Sequence, residues 1–204
     1  MRNGLWSLKT VNIRDYADDK HKTVDDTVFG GGSGMLMKPD IVANSLDKNI
    51  SKGEKIFYLS PKGKKFNQSF ANSLSKQNGI NLICGHFEGV DDRLLSTRNI
   101  EEISIGDYVL SGGETAAFVI LDAVLRLIPG VLGNKDSIKD ETFENSLLEY
   151  PQFTKPKIWE GKSVPDVLFS GDHAKIKSWR LSQSEDITRR QRPDLWEKYL
   201  KDKK

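Results

Sequence analysis

The sequence predicts an α/β fold, a parallel sheet with helices on its faces, followed by a small helical C-terminal module. Three observations carry this. A strand, a helix and a second strand follow one another within about thirty residues from Lys55 to Gly85, and that βαβ order requires parallel strands. A third apolar strand, "SIGDYVL", ends on Ser111-Gly112-Gly113-Glu114 and runs straight into a strongly apolar helix. Beyond Pro151 the chain turns basic, with 13 Lys and Arg against 8 Asp and Glu, whereas the first 150 residues hold 18 against 21.

Composition bounds the rest. The 204 residues suffice for one ordinary core plus a smaller module. Cys84 is the only cysteine, so no internal disulfide forms, which fits a reducing cytoplasm. Met1 is followed by no apolar leader, and no window approaches the ~20 apolar residues of a membrane span. The expectation is a cytosolic protein without membrane contact. A net charge of +2 hides the basic end, which is either a solvated helix face or a footprint for a phosphate backbone.

Taken in order, "FGGGSGM" (Phe29 to Met35) predicts a loop. It lacks both the Gly-Lys-Ser/Thr of a phosphate loop and the spacing of a dinucleotide fingerprint. "KIFYLSP" predicts a strand that stops at Pro61. "FNQSFANSLSKQNG" then places Phe66, Phe70 and Leu74 at helical spacing and ends on Gly79, and "INLICG" predicts the next strand. "VDDRLLSTRN" is a short helix or loop, and the helix after Glu114 runs to Ile128, ended by Pro129-Gly130. A helix apolar on nearly every face needs cover on most sides, from this chain or from a second copy. Residues 133–140 predict an interdomain linker, "PQFTKPKIWEGKSVPD" an irregular stretch, and two helices follow, one capped by Ser170 or Asp172 and one opened by Pro193.

The strand ends hold the candidate site. Open parallel sheets bind ligands outside the carboxyl ends of their strands, which here are "YLSP", "CGHFEG" and the stretch from Ile105 to Gly113. Glu88 is the acid of the second; His86 reads as a partly buried, hydrogen-bonded histidine and Cys84 as a small core residue. Ser111 and Glu114 have the spacing of a capping box. The box leaves the glycines between them unexplained, each costing ~1 kcal/mol against alanine in a helix, so a ligand or another chain segment must approach closely. A lining of backbone amides with few charges suits a flat neutral group such as adenine better than a phosphate.

"HKTVDDTVFGGGSGMLM", "YLSP", "CGHFEGVDDRL", "SIGDYVLSGGE", "IPGVLG" and "LLEYPQFTKP" resemble, in this order and over nearly the whole chain, the motifs of the bacterial tRNA (guanine-N1)-methyltransferases, which methylate guanine 37 beside the anticodon. The resemblance implies a SPOUT-type α/β fold with a deep trefoil knot over residues 1–132, the linker at 133–140, and a helical tRNA-binding domain at 141–204. It implies S-adenosylmethionine as methyl donor with Mg2+ as an assisting ion, and a homodimer whose active sites are built from both subunits. Tyr58, Leu59, Gly85, Ile105, Gly106, Asp107, Tyr108, Val109, Leu110, Gly112 and Gly113 would cradle the donor. Glu141, with Asp140 adjacent, would be the base at guanine N1, in a position where many members carry aspartate, and Arg126 would face O6. Glu88 and Gly31 would meet the guanine, and Lys175, Lys177, Arg189, Arg190 and Arg192 the anticodon stem. Members of the family carry a strand and a helix ahead of the segment aligned to Arg2-Asn3-Gly4, so a sheet edge is expected to need other cover. Two alternatives remain: an inactive dimer binding RNA or cofactor, and a related knotted methyltransferase acting on another RNA. Labelled methyl transfer to tRNA separates them.

Overall fold

The computed structural model describes residues 4–51, 53–132, 143 and 146–203, which fall into two compact units, Met1–Gly133 and Asn134–Lys204. The first unit begins with an extended stretch and a 3-10 turn at Ile13–Tyr16, capped by the Asn12 side chain accepting from the Arg14 amide. A short antiparallel pair, β1 (Asp25–Thr27) and β2 (Met35–Met37), brackets the glycine loop. Helix α1 (Pro39–Asn49) follows, opened by Pro39, whose missing N–H costs nothing in a first helical turn. The core elements are β3 (Ile56–Lys65), α2 (Gln68–Leu74), β4 (Asn81–Ile83), α3 (Asp92–Thr97), β5 (Glu101–Ser104) and α4 (Glu114–Leu125).

β4, β3 and β5 form one parallel sheet in that order, as the βαβ spacing predicts. Side-chain alternation along β3 splits the core into two layers. Tyr58 faces one side, with Met37, Val42, Leu46, Ile83, Val90, Leu94 and Ile100, under α1 and α3. Phe57 and Leu59 face the other, with Ala71, Leu74, Ile103, Ala116, Ile120 and Val124, under α2 and α4. Only one side of α4 is therefore spent on this core: Phe118 and Val119 on its surface are 70% and 45% exposed.

β3 does not stop at Pro61. Leu59 and Lys64 both stand opposite Ile103, so the residues between them loop out of the ladder and pairing resumes at Lys65 with Ser104. Pro61 sits in that excursion, where no ladder N–H is required of it. Gly63 makes the return possible, because a Cβ there would lie 2.4 Å from the Glu102 carbonyl carbon. Among the described residues the outer edge of β4 has no strand partner. A groove of about 620 Å3 runs along it, between Ile80–Cys84 and residues 8–14, with Leu46, Phe118 and Leu121 in its apolar lining.

In the second unit the stretch expected to be irregular contains a small hairpin, β6 (Ile158–Trp159) and β7 (Lys162–Ser163). Glu160 and Gly161 turn it with φ of 49° and 75°, the doubly left-handed geometry that suits the twist of a two-residue hairpin. Helix α5 (His173–Gln191) starts at Asp172, whose carboxylate accepts from the Ala174 and Lys175 amides. Helix α6 (Pro193–Asp202) packs against it. Thr188 is fully buried on α5; its hydroxyl donates to the Ser184 carbonyl at 2.6 Å and accepts from the Leu148 amide at 2.8 Å. Thr188→Val keeps the shape and orphans that amide. Urea unfolding is expected to show a loss of about 1–3 kcal/mol; unchanged stability would mean that the Leu148 amide finds another partner.

Candidate active site

The carboxyl ends of the three parallel strands converge, and glycines let them come closer than side chains would allow. Gly113, buried, donates its amide to the Gly85 carbonyl at 2.9 Å. A Cβ on Gly113 would lie 2.6 Å from the Cys84 Cα and 2.9 Å from the Gly85 nitrogen. Its φ is −76°, so space rather than backbone conformation demands glycine here. Gly112 is held differently: a Cβ there would stand 2.7 Å from Glu114 Oε2 and 2.9 Å from His86 Cε1.

The capping box is not formed. α4 begins at Glu114 with Gly113 as its N-cap and no side-chain cap bond, because the Glu114 carboxylate is engaged elsewhere: its Oε1 lies 2.6 Å from His86 Nε2. That hydrogen bond is the main cause holding the Glu114 carboxyl below the usual glutamate range. Nothing in a single sequence separates an S-x-x-E pair that caps its own helix from one whose glutamate reaches across to a neighbouring strand. His86 is hydrogen-bonded as expected, yet its side chain is half exposed.

Tyr58 is buried beneath the β4 end. Its ring and hydroxyl would touch a Cβ on Gly85 or on Gly89, at 2.7 Å and 2.8 Å. Burial raises its hydroxyl pKa, with a further push from Glu102 and an opposing hydrogen bond from the Val90 backbone. Leu59 is buried beside it in the opposite layer. Burial, and then Glu114, push the Cys84 thiol up to about 11, so it stays neutral and unreactive near pH 7.

After β5 the chain folds over itself. The Ser104 hydroxyl donates to the Gly106 carbonyl and accepts from the Gly106 amide, and the Tyr108 ring lies over Gly106, where a Cβ would be 2.3 Å away. The Tyr108 hydroxyl donates to the Ile105 carbonyl. Asp107 is paired with Lys65 at 2.6 Å, both exposed, so the loop offers a ligand its backbone more than its one carboxylate. Val109 and Leu110 project outward, 85% and 40% exposed.

Glu88 is brought to the glycine loop. Its amide donates to the Met35 carbonyl, and its side chain occupies the space a Cβ on Gly34 would need; Gly31 lies at the exposed tip, with φ of 88°. Arg126 is the half-buried C-cap residue of α4, its amide donating to the Asp122 and Val124 carbonyls. Glu141 and Asp140, like the linker 133–140, lie outside the described residues. In the second unit the basic residues are exposed and already paired locally: Lys175 with Asp172 at 3.2 Å, Arg189 with Asp186 at 2.7 Å. Arg192 pairs with Asp194 at 2.6 Å, and Arg190 donates to the Asp186 carbonyl.

A parallel sheet walled by helices, with a side-chain-poor crevice where three strand ends and a glycine turn meet, defines an α/β protein built to take a ligand at the carboxyl edge of its sheet. The particular family follows from comparison. The family model described as tRNA (guanine-1)-methyltransferase TrmD matches residues 1–198. The tRNA (guanine-N(1)-)-methyltransferase of Pelagibacter ubique is 73% identical over 201 residues, covering 98% of this chain and 88% of that one. Those of Brucella canis and Bartonella tribocorum are 53% and 54% identical, each covering 100% of this chain, and 83% and 87% of their own lengths. The chain belongs to the tRNA (guanine-1)-methyltransferase family and is an enzyme of that class.

Proposed function

We propose that the chain methylates N1 of guanine 37 in tRNA, beside the anticodon, with S-adenosylmethionine as donor, in the cytoplasm. The observation that carries the reading is the crossing of Gly113 over Cys84 and Gly85, which leaves a wall of backbone with no room for a Cβ. Such a wall fits adenine, a flat uncharged ring that hydrogen-bonds to backbone N–H and C=O groups. Tyr58, Leu59 and Gly85 would form one side, with Ile105, Gly106, Asp107, Tyr108, Val109, Leu110, Gly112 and Gly113 the other. When bound, the donor supplies a methyl group carried on a sulfonium.

The protein's own work concerns the guanine. N1 carries a proton at neutral pH and becomes nucleophilic only as that proton leaves, while negative charge gathers at O6. Glu141 takes the proton, and the Arg126 guanidinium stands opposite O6. Glu88 and the Gly31 loop, joined through Gly34, hold the base's edge. Mg2+ assistance is assigned no step, since among the described residues no three His, Cys, Asp or Glu side chains converge.

The reading includes a deep knot, formed by threading the stretch after β5 that returns to the β4 end, and a homodimer that covers the exposed Phe118 and Val119 of α4. Contiguous apolar surface of this kind marks an interface. The second unit serves as the tRNA grip: Lys175, Lys177, Arg189, Arg190 and Arg192 exchange weak surface pairs for phosphates, since exposed ion pairs contribute only about 0–1 kcal/mol.

Labelled methyl transfer from S-adenosylmethionine to tRNA with guanine at positions 36 and 37 tests the whole. Incorporation is expected with guanine 37 and loss of it with adenine there. Equal labelling of both, or label on a ribose hydroxyl, would overturn the assignment, and no labelling alongside tight binding would favour an inactive RNA-binding dimer.

A further inference from the structure

We propose that His86 and Glu114 form a latch that holds the turn Ser111–Gly113 against the end of β4, so that the width of the crevice depends on pH.

Two bonds tie that turn to β4, and they differ in kind. The Gly113 amide to the Gly85 carbonyl is a neutral backbone bond that no proton can alter. His86 Nε2 to Glu114 Oε1, at 2.6 Å, lies within the range of charge-assisted bonds. The pair closes over Gly112, whose missing Cβ leaves the space they occupy. With one bond on each side, the turn is fixed in position; with the side-chain bond weakened, it pivots about Gly113.

The charged state of the pair is set by one member. Glu114 is held below the usual carboxylate range, so its contribution is present from pH 5 upward and is lost only as pH falls through its lowered pKa. The other titratable group facing the pair, the Cys84 thiol on β4, remains neutral over the same range. Phe87, whose ring centroid lies 6.2 Å from that of His86, carries no charge. An imidazole is the side chain that changes charge between pH 5 and 8. The latch therefore weakens as pH rises, from a charge-assisted bond to a neutral one.

The proposal rests on the crevice being the cofactor site, and its test has two readouts so that the two ideas fail separately. S-adenosylhomocysteine is titrated calorimetrically into the full chain at pH 6 and pH 8.5, and amide hydrogen exchange is followed at Gly113 without ligand. Wild type is expected to bind roughly fivefold more weakly at pH 8.5, the difference between a charge-assisted bond and a neutral one. Gly113 exchange should rise by a similar factor beyond the intrinsic base-catalysed change. His86→Arg, which keeps a permanent donor and charge, should bind well at both values and remove the dependence; since the ligand's own titration is common to both proteins, it serves as the control. His86→Ala should bind weakly at both. The same pH dependence in wild type and His86→Arg, in both readouts, would overturn the latch. If no protein binds the ligand at any pH, the cofactor assignment falls, and the exchange at Gly113 decides the latch alone.

Discussion

Gly113→Ala will abolish binding of S-adenosylhomocysteine and lower the stability of the first unit by about 1–3 kcal/mol, the cost of overpacking a filled site. The sign is not obvious from conformation. At φ −76° an alanine is unstrained, and glycine-to-alanine changes at compatible positions stabilise by about 0.4–1 kcal/mol through the unfolded chain. Sterics reverse that sign, because the new methyl would meet the Cys84 Cα and the Gly85 nitrogen, backbone atoms that no rotamer change can remove. The β4 end and the turn must then part, and the Gly113 to Gly85 hydrogen bond goes with them. Two comparisons isolate this cause. Gly112→Ala meets the ends of His86 and Glu114, side chains able to swing aside, and should cost less. Gly79→Ala meets nothing within 4 Å and should leave both stability and binding unchanged. Calorimetric titration with thermal melting of the three variants reads the order directly; Gly113→Ala behaving like Gly79→Ala would remove the steric argument and the crevice built on it.

The contrast between those glycines shows what a sequence carries and what it withholds. Local chemistry is legible: Asp172 as the cap of α5, Pro193 at the start of α6, and the helical spacing of Phe66, Phe70 and Leu74 over α2. So is the strand–helix–strand order, because the period of the apolar residues changes with the element. Wherever a residue's role depends on what lies across from it, the sequence is mute. Pro61 reads as the end of a strand; in space the chain loops out at Pro61 and resumes the same ladder, a detour set by the return past Glu102. Glu114 matches a capping box whose geometry requires Ser111 as N-cap, and the helix instead begins one residue after Gly113, with the carboxylate reaching His86. α1 carries an N-terminal signal in Pro39, and the hairpin β6–β7 a turn signal in Glu160-Gly161; both are too short or too polar on one face to stand out. The two glycines of the turn are the exception. Their cost in a helix demands a close neighbour on energetic grounds alone, and the neighbour is backbone for Gly113 and a side-chain pair for Gly112.

Glu141→Gln will cut methyl transfer by roughly 10²–10⁴-fold, the contribution typical of a positioned general base, while leaving S-adenosylhomocysteine binding and the melting temperature unchanged. Glutamine matches glutamate in size and can hydrogen-bond to the guanine edge, but its amide cannot take up the N1 proton. A purely positional role would therefore survive the change and a proton-accepting role would not. The adjacent Asp140 supplies the discriminating control. Only one of two neighbouring carboxylates can be aimed at a given atom, because successive side chains leave the backbone in different directions. Asp140→Asn should thus retain turnover within about threefold, and the reverse order would move the base by one residue. Glutamate is one methylene longer than the aspartate that many members of the family carry, so Glu141→Asp tests reach apart from chemistry: partial activity with an unaltered pH profile is the expected result. Raising the pH offers a second check. If deprotonation of N1 is what Glu141 supplies, the Glu141→Gln enzyme should recover rate as hydroxide increases, whereas wild type should plateau; parallel profiles for the two would place the base elsewhere.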